Sequence, residues 1–429
     1  MVGKTVETDV PAIGRIPSSW QLMRLNVVAE LYGRIGWQGL KSDEYQDNGP
    51  YLVTGTDFTN GAIDWDTCVH ISEKRWEEAW QIKLHDGDLL ITKDGTIGKL
   101  AIVSNMPGPA SLNSGLMRIV PKGNFYDTKY LYCVLQTDVF TDWYRDVSSG
   151  QSTIKHLFQG DFIHFVFPLP PLEEQLQIVV CLDSVVGKLE REIAITNHQL
   201  DVLADYRKSL IQEVVTHGLD PDAELRPSGI DWIGNMPAHW QSKPFKYVAS
   251  VSANLVNPDE YADLPEIDPE NIEKDTGRLL NVRTVGEVGP ISDKQLFHRG
   301  QVLYSKIRPS LNKVVVARRE GLCSADMYPI DSNNDIKWLA YVMRSDLFVA
   351  QSELVSDRVK MPKVNVEQLS YFVVPVPPVN EQRAIADYLN TKTFAIDRIA
   401  AAKRAQLENL REQRQSIIYE YVTGKRRVV

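Results

Sequence analysis

The chain has 429 residues, of which 43% are hydrophobic and 24% charged, and its formal net charge at pH 7 is −9. This length allows about two to four domains, and the composition is ordinary for a globular protein. No run approaches the roughly 18 apolar residues of a membrane span, and the N-terminus lacks the apolar core of a signal peptide, so we expect a cytoplasmic protein without a membrane partner. The net negative charge alone counts against nucleic-acid binding, although a local basic face can lie within an acidic chain.

Cysteine usage indicates reduced core thiols rather than a disulfide framework or a zinc site. The four cysteines are scattered and never form a CxxC pair: Cys68, Cys133, Cys181 and Cys323. The eight histidines are equally dispersed. We therefore expect no metal site built from ligands that are close in sequence.

From its N-terminus the chain reads as short β-type runs, such as "DLLI", "LAIV" and "MRIV", broken by Gly, Pro, Asn and Asp. This pattern predicts a strand-rich domain over residues 1–168 and a second one over residues 220–375. Each strand-rich part ends in a double-proline motif, "PLPPLEEQ" at 168–175 and "PVPPVNEQ" at 375–382. Because proline restricts the backbone to extended or first-turn helical conformations, each motif predicts a junction between a strand and a helix.

Behind each motif the hydrophobic pattern becomes that of one long helix, and we predict helical spacers over residues 169–219 and 376–429. The spacing alternates between four and three residues, as in a coiled-coil heptad. In the first spacer the series is Leu182, Val186, Leu189, Ile193, Thr196, Leu200, Leu203, Arg207, Leu210 and Val214. Adding 207 to each number gives the second series, Leu389, Thr393, Ile396, Ala400, Lys403, Leu407, Leu410, Arg414, Ile417 and Tyr421.

The strand-rich parts repeat as well, so the chain is a tandem duplication of one domain with its connector. The anchors recur in the same order: "IGRIPSSWQ" (13–21) with "IGNMPAHWQ" (233–241), "GDLLITKDGTIGKLAIV" (87–103) with "GQVLYSKIRPSLNKVVVA" (300–317), and "YLYCVLQTDVF" (130–140) with "WLAYVMRSDLF" (338–348). The separation between matching anchors falls along the chain from 220 to 207 residues. The two halves therefore differ by small loop insertions within one plan.

A helix with a single apolar seam needs a partner, and two arrangements are open. Each helix could pack on its own globular domain, or the two helices could pack on each other as an antiparallel coiled coil, which the matching seams favour. The polar seam pairs Thr196/Lys403 and Arg207/Arg414 would then set the register. The residues expected at the helix–helix contact are Leu182, Leu189, Ile193, Leu200, Leu203, Leu210, Leu389, Ile396, Leu407, Leu410 and Ile417.

The sequence lacks the local signatures of common catalytic sites. It has no GxxxxGK[ST] phosphate loop, no GxGxxG after a strand, no GxSxG elbow, no HExxH and no tetrad of the "NPPY" kind. Scattered carboxylates could still assemble in space. The pattern nevertheless favours a protein without chemistry of its own.

One stretch is strongly basic within this acidic chain. Residues 294–319 contain seven Lys or Arg and no Asp or Glu, and the matching "KDGTIGK" stretch of the first half carries two lysines. A second matched pair, "SSGQSTIKHL" (148–157) and "SDRVKMPKVN" (356–365), comes just before each double proline. An interpretation without any binding function is a set of hairpin turns with solvated lysines, or a basic strand face packed on acidic neighbours. The alternative is contact with DNA, because cations neutralise phosphates and polar loop side chains read base edges.

On the second interpretation we expect DNA contacts from loops in both domains. The first-domain candidates are Lys93, Lys99, Gln151, Ser152 and Lys155. The second-domain candidates are Lys306, Arg308, Asn312, Lys313, Arg358, Lys360 and Lys363.

Taken together, these motifs resemble the specificity subunit of type I restriction-modification enzymes over essentially the whole chain. The resemblance rests on "PLPPLEEQLQI" and "PVPPVNEQRAIADYLN" opening two long helices, on "IPSSW" and "MPAHW" at the domain starts, on "GDLLITKDGTIGKLAIV", and on "YRKSLIQEVVTHG" at a helix end. It implies an α+β fold with two target recognition domains and two helical spacers, paired antiparallel with pseudo-twofold symmetry.

The resemblance also implies a function without catalysis. Each recognition domain would read one half of a bipartite, asymmetric double-stranded DNA target, with an unread gap set by the helices. Two methyltransferase subunits, using S-adenosylmethionine, and restriction subunits that use ATP and Mg²⁺ for translocation and cleavage would assemble on this chain. The chain itself would bind no cofactor and no metal.

Two other functions stay open at this point. The chain could be a self-contained restriction or modification enzyme whose active-site residues are far apart in sequence. It could also be a coiled-coil adaptor that joins two protein-binding domains. Methyl transfer by the chain alone would identify the first, and the absence of any specific duplex site would identify the second.

Overall fold

The computed structural model describes residues 4–34, 40–78, 80–149, 155–356 and 362–428. The chain forms two compact units, one of Met1–Thr196 with Gln406–Val429 and one of Asn197–Ala405. Each unit therefore holds one strand-rich part of the sequence together with residues from both long helices.

The first unit consists of short strands and helices, as its Gly- and Pro-rich sequence predicts. Its strands are β1 (Thr5–Glu7), β2 (Arg15–Pro17), β3 (Gln21–Arg24), β4 (Ala29–Gly33), β5 (Gln46–Val53), β6 (Phe58–Thr59), β7 (Ala62–Ile63), β8 (Val69–His70), β9 (Leu89–Thr92), β10 (Leu100–Ile102), β11 (Ala110–Leu112), β12 (Leu116–Pro121) and β13 (Val166–Leu169). Its short helices are α1 (Leu25–Val28), α2 (Glu73–Glu77), α3 (Thr128–Leu135), α4 (Asp138–Val147) and α5 (Gln159–Phe162). The long helix α6 (Leu172–His217) begins within the first double-proline motif, directly after its two prolines.

The second unit repeats this plan. Its strands are β14 (Leu225–Pro227), β15 (Asn235–Pro237), β16 (Gln241–Pro244), β17 (Ser250–Val251), β18 (Leu255–Val256), β19 (Pro265–Ile267), β20 (Arg283–Thr284), β21 (Lys294–Phe297), β22 (Val302–Ser305), β23 (Val314–Val316), β24 (Gly321–Cys323), β25 (Met327–Asp331) and β26 (Val373–Val376). Its short helices are α7 (Val285–Val288), α8 (Ile336–Arg344), α9 (Asp346–Ser356) and α10 (Val366–Ser370). The second long helix is α11 (Val379–Val422).

The sheet topology of the second unit copies that of the first. An antiparallel sheet has the order β10-β9-β12-β4 in the first unit and β23-β22-β25-β17 in the second. A second sheet contains one parallel pair in each unit, β11 with β5 and β24 with β19. The last strand before each long helix pairs with an early strand, β13 with β3 and β26 with β16. The α+β fold class and the internal repeat are thus both confirmed.

A buried glutamine of each double-proline motif fastens the long helix to the sheet domain. The Gln175 side chain is fully buried, and its Oε1 accepts a hydrogen bond from the backbone N–H of Asp127, which caps helix α3 (2.9 Å). Its Nε2 donates to the carbonyl oxygens of Phe125 (3.1 Å) and Pro170 (2.8 Å). One buried amide side chain therefore satisfies three backbone groups, two of them about 50 residues away in the chain.

Gln382 does the same in the second unit. Its Oε1 accepts from the backbone N–H of Asp335, the cap of helix α8 (2.8 Å), and its Nε2 donates to Pro377 (2.9 Å) and to the side chain of Asn334 (2.9 Å). This repetition explains why each motif ends in glutamine. A methionine of similar volume fits the space but cannot replace the hydrogen bonds.

The glutamate before each glutamine binds the tryptophan at the start of the domain. Trp20 Nε1 donates to Glu174 (3.0 Å), and Trp240 Nε1 donates to Glu381 (2.9 Å). Because both indoles are buried, each N–H needs this acceptor. The two sequence anchors of each half, the tryptophan and the double-proline motif, are therefore one structural element.

In the first unit, the beginning of α6 packs against the end of α11. Cys181 on α6 contacts Tyr421 on α11 (Sγ–Oη 3.1 Å), and Glu190 on α6 pairs with Arg414 on α11. Because the α6 number rises as the α11 number falls, the helices run antiparallel. Ile178 and the neighbouring turns also complete the core of the strand-rich part.

In the second unit, the end of α6 packs with the beginning of α11. Arg207 on α6 pairs with Asp397 on α11 (3.1 Å), and Ile211 shares a core cluster with Leu389. The two ion pairs are equivalent in the duplication, since 207 and 190 become 414 and 397 when 207 is added. The two arrangements that the sequence left open thus occur together, because each helix packs on the other helix and on a globular core.

Among the residues that the structure describes, we find no helix with the length and apolar character of a membrane span.

Two cysteines are buried deeply enough to be unreactive in the folded chain. Burial raises the pKa of both Cys68 and Cys323 to about 12. Because the thiolate is the reactive form, we expect neither thiol to react with a maleimide near neutral pH until the chain unfolds. Mass spectrometry of native and denatured protein measures this, and rapid native labelling of either residue would contradict the described packing.

The buried glutamine should be essential for stability. Gln175→Met removes three hydrogen bonds to backbone groups, and an unsatisfied group costs about 1–3 kcal/mol where it is buried, so we expect the free energy of unfolding to fall by at least about 2 kcal/mol. Chemical denaturation measures the change. The matched control is Gln177→Met, two residues along the same helix on its exposed face, which should leave stability almost unchanged. Equal effects from both changes would contradict the role of Gln175.

Candidate nucleic-acid interface

The first candidate surface is a tight turn after strand β9, residues 93–99, which we call turn A. Thr92 closes it, because its hydroxyl donates to the carbonyl oxygen of Thr96 (2.5 Å) and accepts from the N–H of Lys99 (2.9 Å). Gly95 and Gly98 have positive φ angles of 67° and 85°, as such a turn requires. Lys99 is exposed and Lys93 is half-buried.

Turn A is hydrogen-bonded to the segment that precedes α5. The N–H of Leu157 donates to the carbonyl oxygen of Lys93 (3.0 Å), and His156 contacts the carboxylate of Asp94. Exposed Lys155 lies next to these contacts in the chain. The structure therefore brings together candidates that are about 60 residues apart in sequence.

The second candidate surface is the equivalent turn after strand β22, residues 306–313, which we call turn B. It contains a short 3₁₀ helix (Pro309–Leu311) flanked by Arg308 and Asn312, both in the left-handed region with φ angles of 46° and 45°. A left-handed arginine is strained by roughly 1–2 kcal/mol. Arg308 is exposed.

Turn B is held by the segment that leads to α10, as turn A is held by its own neighbour. The N–H of Val364 donates to the carbonyl oxygen of Lys306 (2.9 Å), which is the counterpart of the Leu157–Lys93 bond. The N–H of Arg308 donates to the carbonyl oxygen of Pro362 (2.9 Å). Exposed Lys363 lies between these two contacts. In both units, therefore, a cationic turn is hydrogen-bonded to an equivalent segment of the same unit.

Asn312 does not fit its predicted role in DNA contact. Its side chain is buried, and Nδ2 donates to Asp275 Oδ1 (3.1 Å) and to the carbonyl oxygen of Arg344 (2.9 Å). The amide is therefore engaged in holding turn B. It therefore adds no group to the exposed surface of turn B.

The other cations of turn B are partly engaged by the protein. Lys306 Nζ donates to the carbonyl oxygen of Ala325 (2.6 Å), and Lys313 Nζ donates to that of Pro269 (2.6 Å). Lys306 and Lys363 both lie near Asp326, at 3.8 and 3.5 Å. Lys306 is half-buried and Lys363 is exposed, and exposed Arg308 presents a guanidinium group to solvent.

The basic stretch 294–319 does not form one patch. Lys294 is buried and pairs with Glu266 and, at 3.0 Å, with Asp268. Arg299 and Arg318 are exposed at the end of the β22–β23 hairpin that is opposite turn B, because those strands are antiparallel. Only the cations of turn B remain as a continuous candidate surface.

Four predicted contacts lie outside the described residues: Gln151, Ser152, Arg358 and Lys360.

Sequence inspection missed the acidic members of both surfaces. Asp326 belongs to the connection between β24 and β25, and Asp94 is part of turn A itself. Tyr328 was also missed, although its ring lies under the ammonium group of Lys306 (5.3 Å). No local signal marks these residues, because strand pairing alone brings residues 326 and 328 to turn B.

The predicted helix–helix residues lie on the packed faces of α6 and α11. Those that are buried are Leu182, Leu189, Leu389, Ile396, Leu407 and Leu410. Those that are half-buried are Ile193, Leu200, Leu203, Leu210 and Ile417. The polar seam residues Thr196, Arg207 and Thr393 are buried as well, each with hydrogen bonds from its side chain.

In the described ranges, no group of three or more His, Cys, Asp or Glu side chains could hold a metal ion.

Comparison with known proteins identifies relatives along most of the chain. The family model of the type I restriction modification DNA specificity domain matches residues 17–200 and 273–409. The specificity subunit of the EcoDI type I restriction enzyme from Escherichia coli is 28% identical over 318 residues, which are 70% of each chain. The MjaVIII specificity subunit from Methanocaldococcus jannaschii is 22% identical over 96% of this chain and 94% of its own.

A solved structure supports the fold independently. A chain from a structural study of complex assembly and conformational transition in a type I R-M system superposes with a TM-score of 0.67. The match covers 96% of this chain and 99% of that one at 17% identity. At this identity the likeness concerns the fold alone.

Proposed function

Because this chain belongs to the type I restriction-modification DNA specificity family, we propose that each of its units reads one part of a bipartite, asymmetric double-stranded DNA target. The chain is the sequence-recognition subunit of such a system. The proposed reading surfaces are turn A with residues 155–158 and turn B with residues 362–365.

The observation that carries this proposal is the repeated arrangement of the two turns. In each unit a cationic turn follows the equivalent strand of the antiparallel sheet and is hydrogen-bonded to the segment before α5 or α10. The exposed side chains of Lys99, Lys155 and Lys363 are suited to contacts with DNA phosphates. Such contacts position a protein on DNA. Exposed Arg308 suits a base, because a guanidinium group binds guanine O6 and N7 together.

Concentration of cations at the turns also accounts for DNA binding by an acidic chain. The net charge of −9 is a sum over the chain. Phosphate contact depends on local charge within about 8–10 Å, the Debye length at physiological salt. Partner subunits would supply further phosphate contacts in the assembled complex.

The partners follow from the family as part of the same proposal. Type I systems combine specificity subunits with methyltransferase and restriction subunits, and we propose two methyltransferase subunits on this chain. S-adenosylmethionine, ATP and Mg²⁺ would then be bound by the partners. This chain would recognise DNA and carry out no step of methylation or cleavage.

Methylation should require this chain together with its methyltransferase subunit. We expect no methyl transfer from labelled S-adenosylmethionine when the purified chain acts alone, and transfer to one bipartite site when the methyltransferase subunit is added. A map of methylated adenines in the source genome, with and without the gene, identifies that site.

The outcomes separate the three functions. Methyl transfer by the chain alone would identify a self-contained enzyme. Unchanged methylation after loss of the gene, with no salt-dependent preference among duplexes, would identify an adaptor.

Arg308→Ala should weaken binding to the target by about 1–3 kcal/mol and relax the requirement for one base pair, because one base-reading group is removed. Fluorescence anisotropy on the target and on its single-base-pair variants measures both effects in the complex with the methyltransferase subunit.

The matched control is Arg318→Ala, which removes an exposed arginine at the opposite end of the same hairpin. It should leave affinity and base preference unchanged. Equal behaviour of the two variants would show that turn B does not read the target.

A further inference from the structure

Turn B is connected to the long helices through a network of polar side chains centred on the buried Arg207. Arg207 on α6 is 5% exposed. Its Nε donates to Asp397 on α11 (3.1 Å), and its Nη1 donates to the backbone carbonyl oxygen of Asp275 (2.8 Å). One guanidinium group therefore joins both helices to the loop that contains Asp275.

A second buried arginine fixes the same loop. Arg344, at the end of α8, donates from Nη1 to the carbonyl oxygen of Thr276 (2.6 Å), and Arg207 reaches that oxygen as well (3.4 Å). Burial lowers the pKa of Arg344 to about 10, which leaves it charged at neutral pH. Gly277 has a φ angle of 71°, and a Cβ there would lie 2.5 Å from the carbonyl oxygen of Val314. The loop thus has little freedom to shift.

Asp275 joins this loop to turn B through two hydrogen bonds with Asn312. Its Oδ1 accepts from Asn312 Nδ2 (3.1 Å), and its N–H donates to the carbonyl oxygen of Asn312 (3.3 Å). Asn312 is the C-cap of the 3₁₀ helix Pro309–Leu311, which begins after Arg308. Fixing Asn312 therefore fixes the turn on which Arg308 is presented.

The first unit provides an internal comparison. Arg414 is the counterpart of Arg207 and pairs with Glu190, the counterpart of Asp397. Its additional contact is with Gln136, at the end of α3 (2.6 Å), whereas turn A is closed by Thr92. Within the described parts of the two units, only the arginine of the second unit holds a loop that contacts its reading turn.

We propose that Asp275 and Arg207 are positioning residues for sequence recognition by the second unit: they hold turn B, and with it Arg308, in a fixed place relative to helices α6 and α11. This inference rests on the proposed function of turn B. Neither residue touches DNA in this scheme. Their effect is on base discrimination rather than on phosphate contact.

The test uses the full chain with its methyltransferase subunit and duplexes carrying single-base-pair changes across the target. Asp275 has a φ angle of 62°, so Asp275→Gly removes the carboxylate without straining the backbone, and Asp275→Asn keeps an oxygen that can accept from Asn312. We expect Asp275→Gly to lower discrimination at least about fivefold at the base pairs that Arg308→Ala identifies. Discrimination at the other base pairs should be unchanged, and Asp275→Asn should behave like the natural protein.

A merely structural role predicts a different result. Asp275→Gly would then lower the melting temperature and weaken binding to all duplexes alike, with discrimination unchanged, and this would overturn the proposal. If Arg308→Ala changes no base preference, the function assigned to turn B is wrong. If Arg308→Ala does and Asp275→Gly does not, only the positioning inference is wrong.

A second pair of variants decides the matter if Asp275→Gly does not fold. Arg207→Gln and Arg414→Gln each remove an equivalent ion pair between α6 and α11. The proposal requires that Arg207→Gln relax the base pairs assigned to Arg308 and that Arg414→Gln leave them unchanged. Equal effects on those base pairs would overturn it.

Discussion

The fold depends on the completion of each core by helical turns from both halves of the sequence. In the first unit Ile178 and Leu182 of α6 share a cluster with Tyr421 and Val422 of α11. In the second unit Val215 of α6 and the first turns of α11 are buried in the same way. Each core thus includes apolar side chains of both helices, so the antiparallel helix pair is part of the fold of both units. Burial of apolar surface is the main force that maintains it.

The glutamine and glutamate of each double-proline motif orient the helices on those cores. Hydrophobic contact is not directional, whereas a buried amide with three partners allows a single placement. Gln175 and Gln382 thus fix the position of the first turn of each helix on its core. The ion pairs Arg207–Asp397 and Arg414–Glu190 fix the register between the two helices. These same arginines are seam residues whose polarity interrupts the apolar heptads. Their burial is compensated by a carboxylate and by carbonyl or amide oxygens.

The long helices, the repeat and the fold class could be predicted from the sequence, because heptad spacing and recurring anchors are local signals. The charged surface could be predicted only in part. Lys294 lies in the basic stretch but is neutralised by Glu266, 28 residues earlier and in the same sheet. Asn312 has the side chain of a base reader but is used inside the turn. For Lys294 the pairing of distant strands decides the role, and for Asn312 contacts with a distant loop and a helix end decide it. A single sequence does not reveal either kind of contact.

The left-handed backbone at Arg308 has a consequence for how this protein changes over time. Asparagine or glycine would occupy that conformation with less strain, so stability alone favours replacing the arginine. A guanidinium group at this position is what the proposed base contact requires, and it is present at the expense of local stability. Residues 309–311 lie between two constrained positions and carry no such strain in the described backbone. A substitution that relaxes the backbone at position 308 would remove the group proposed to contact a base, so stability and recognition make opposite demands on one residue.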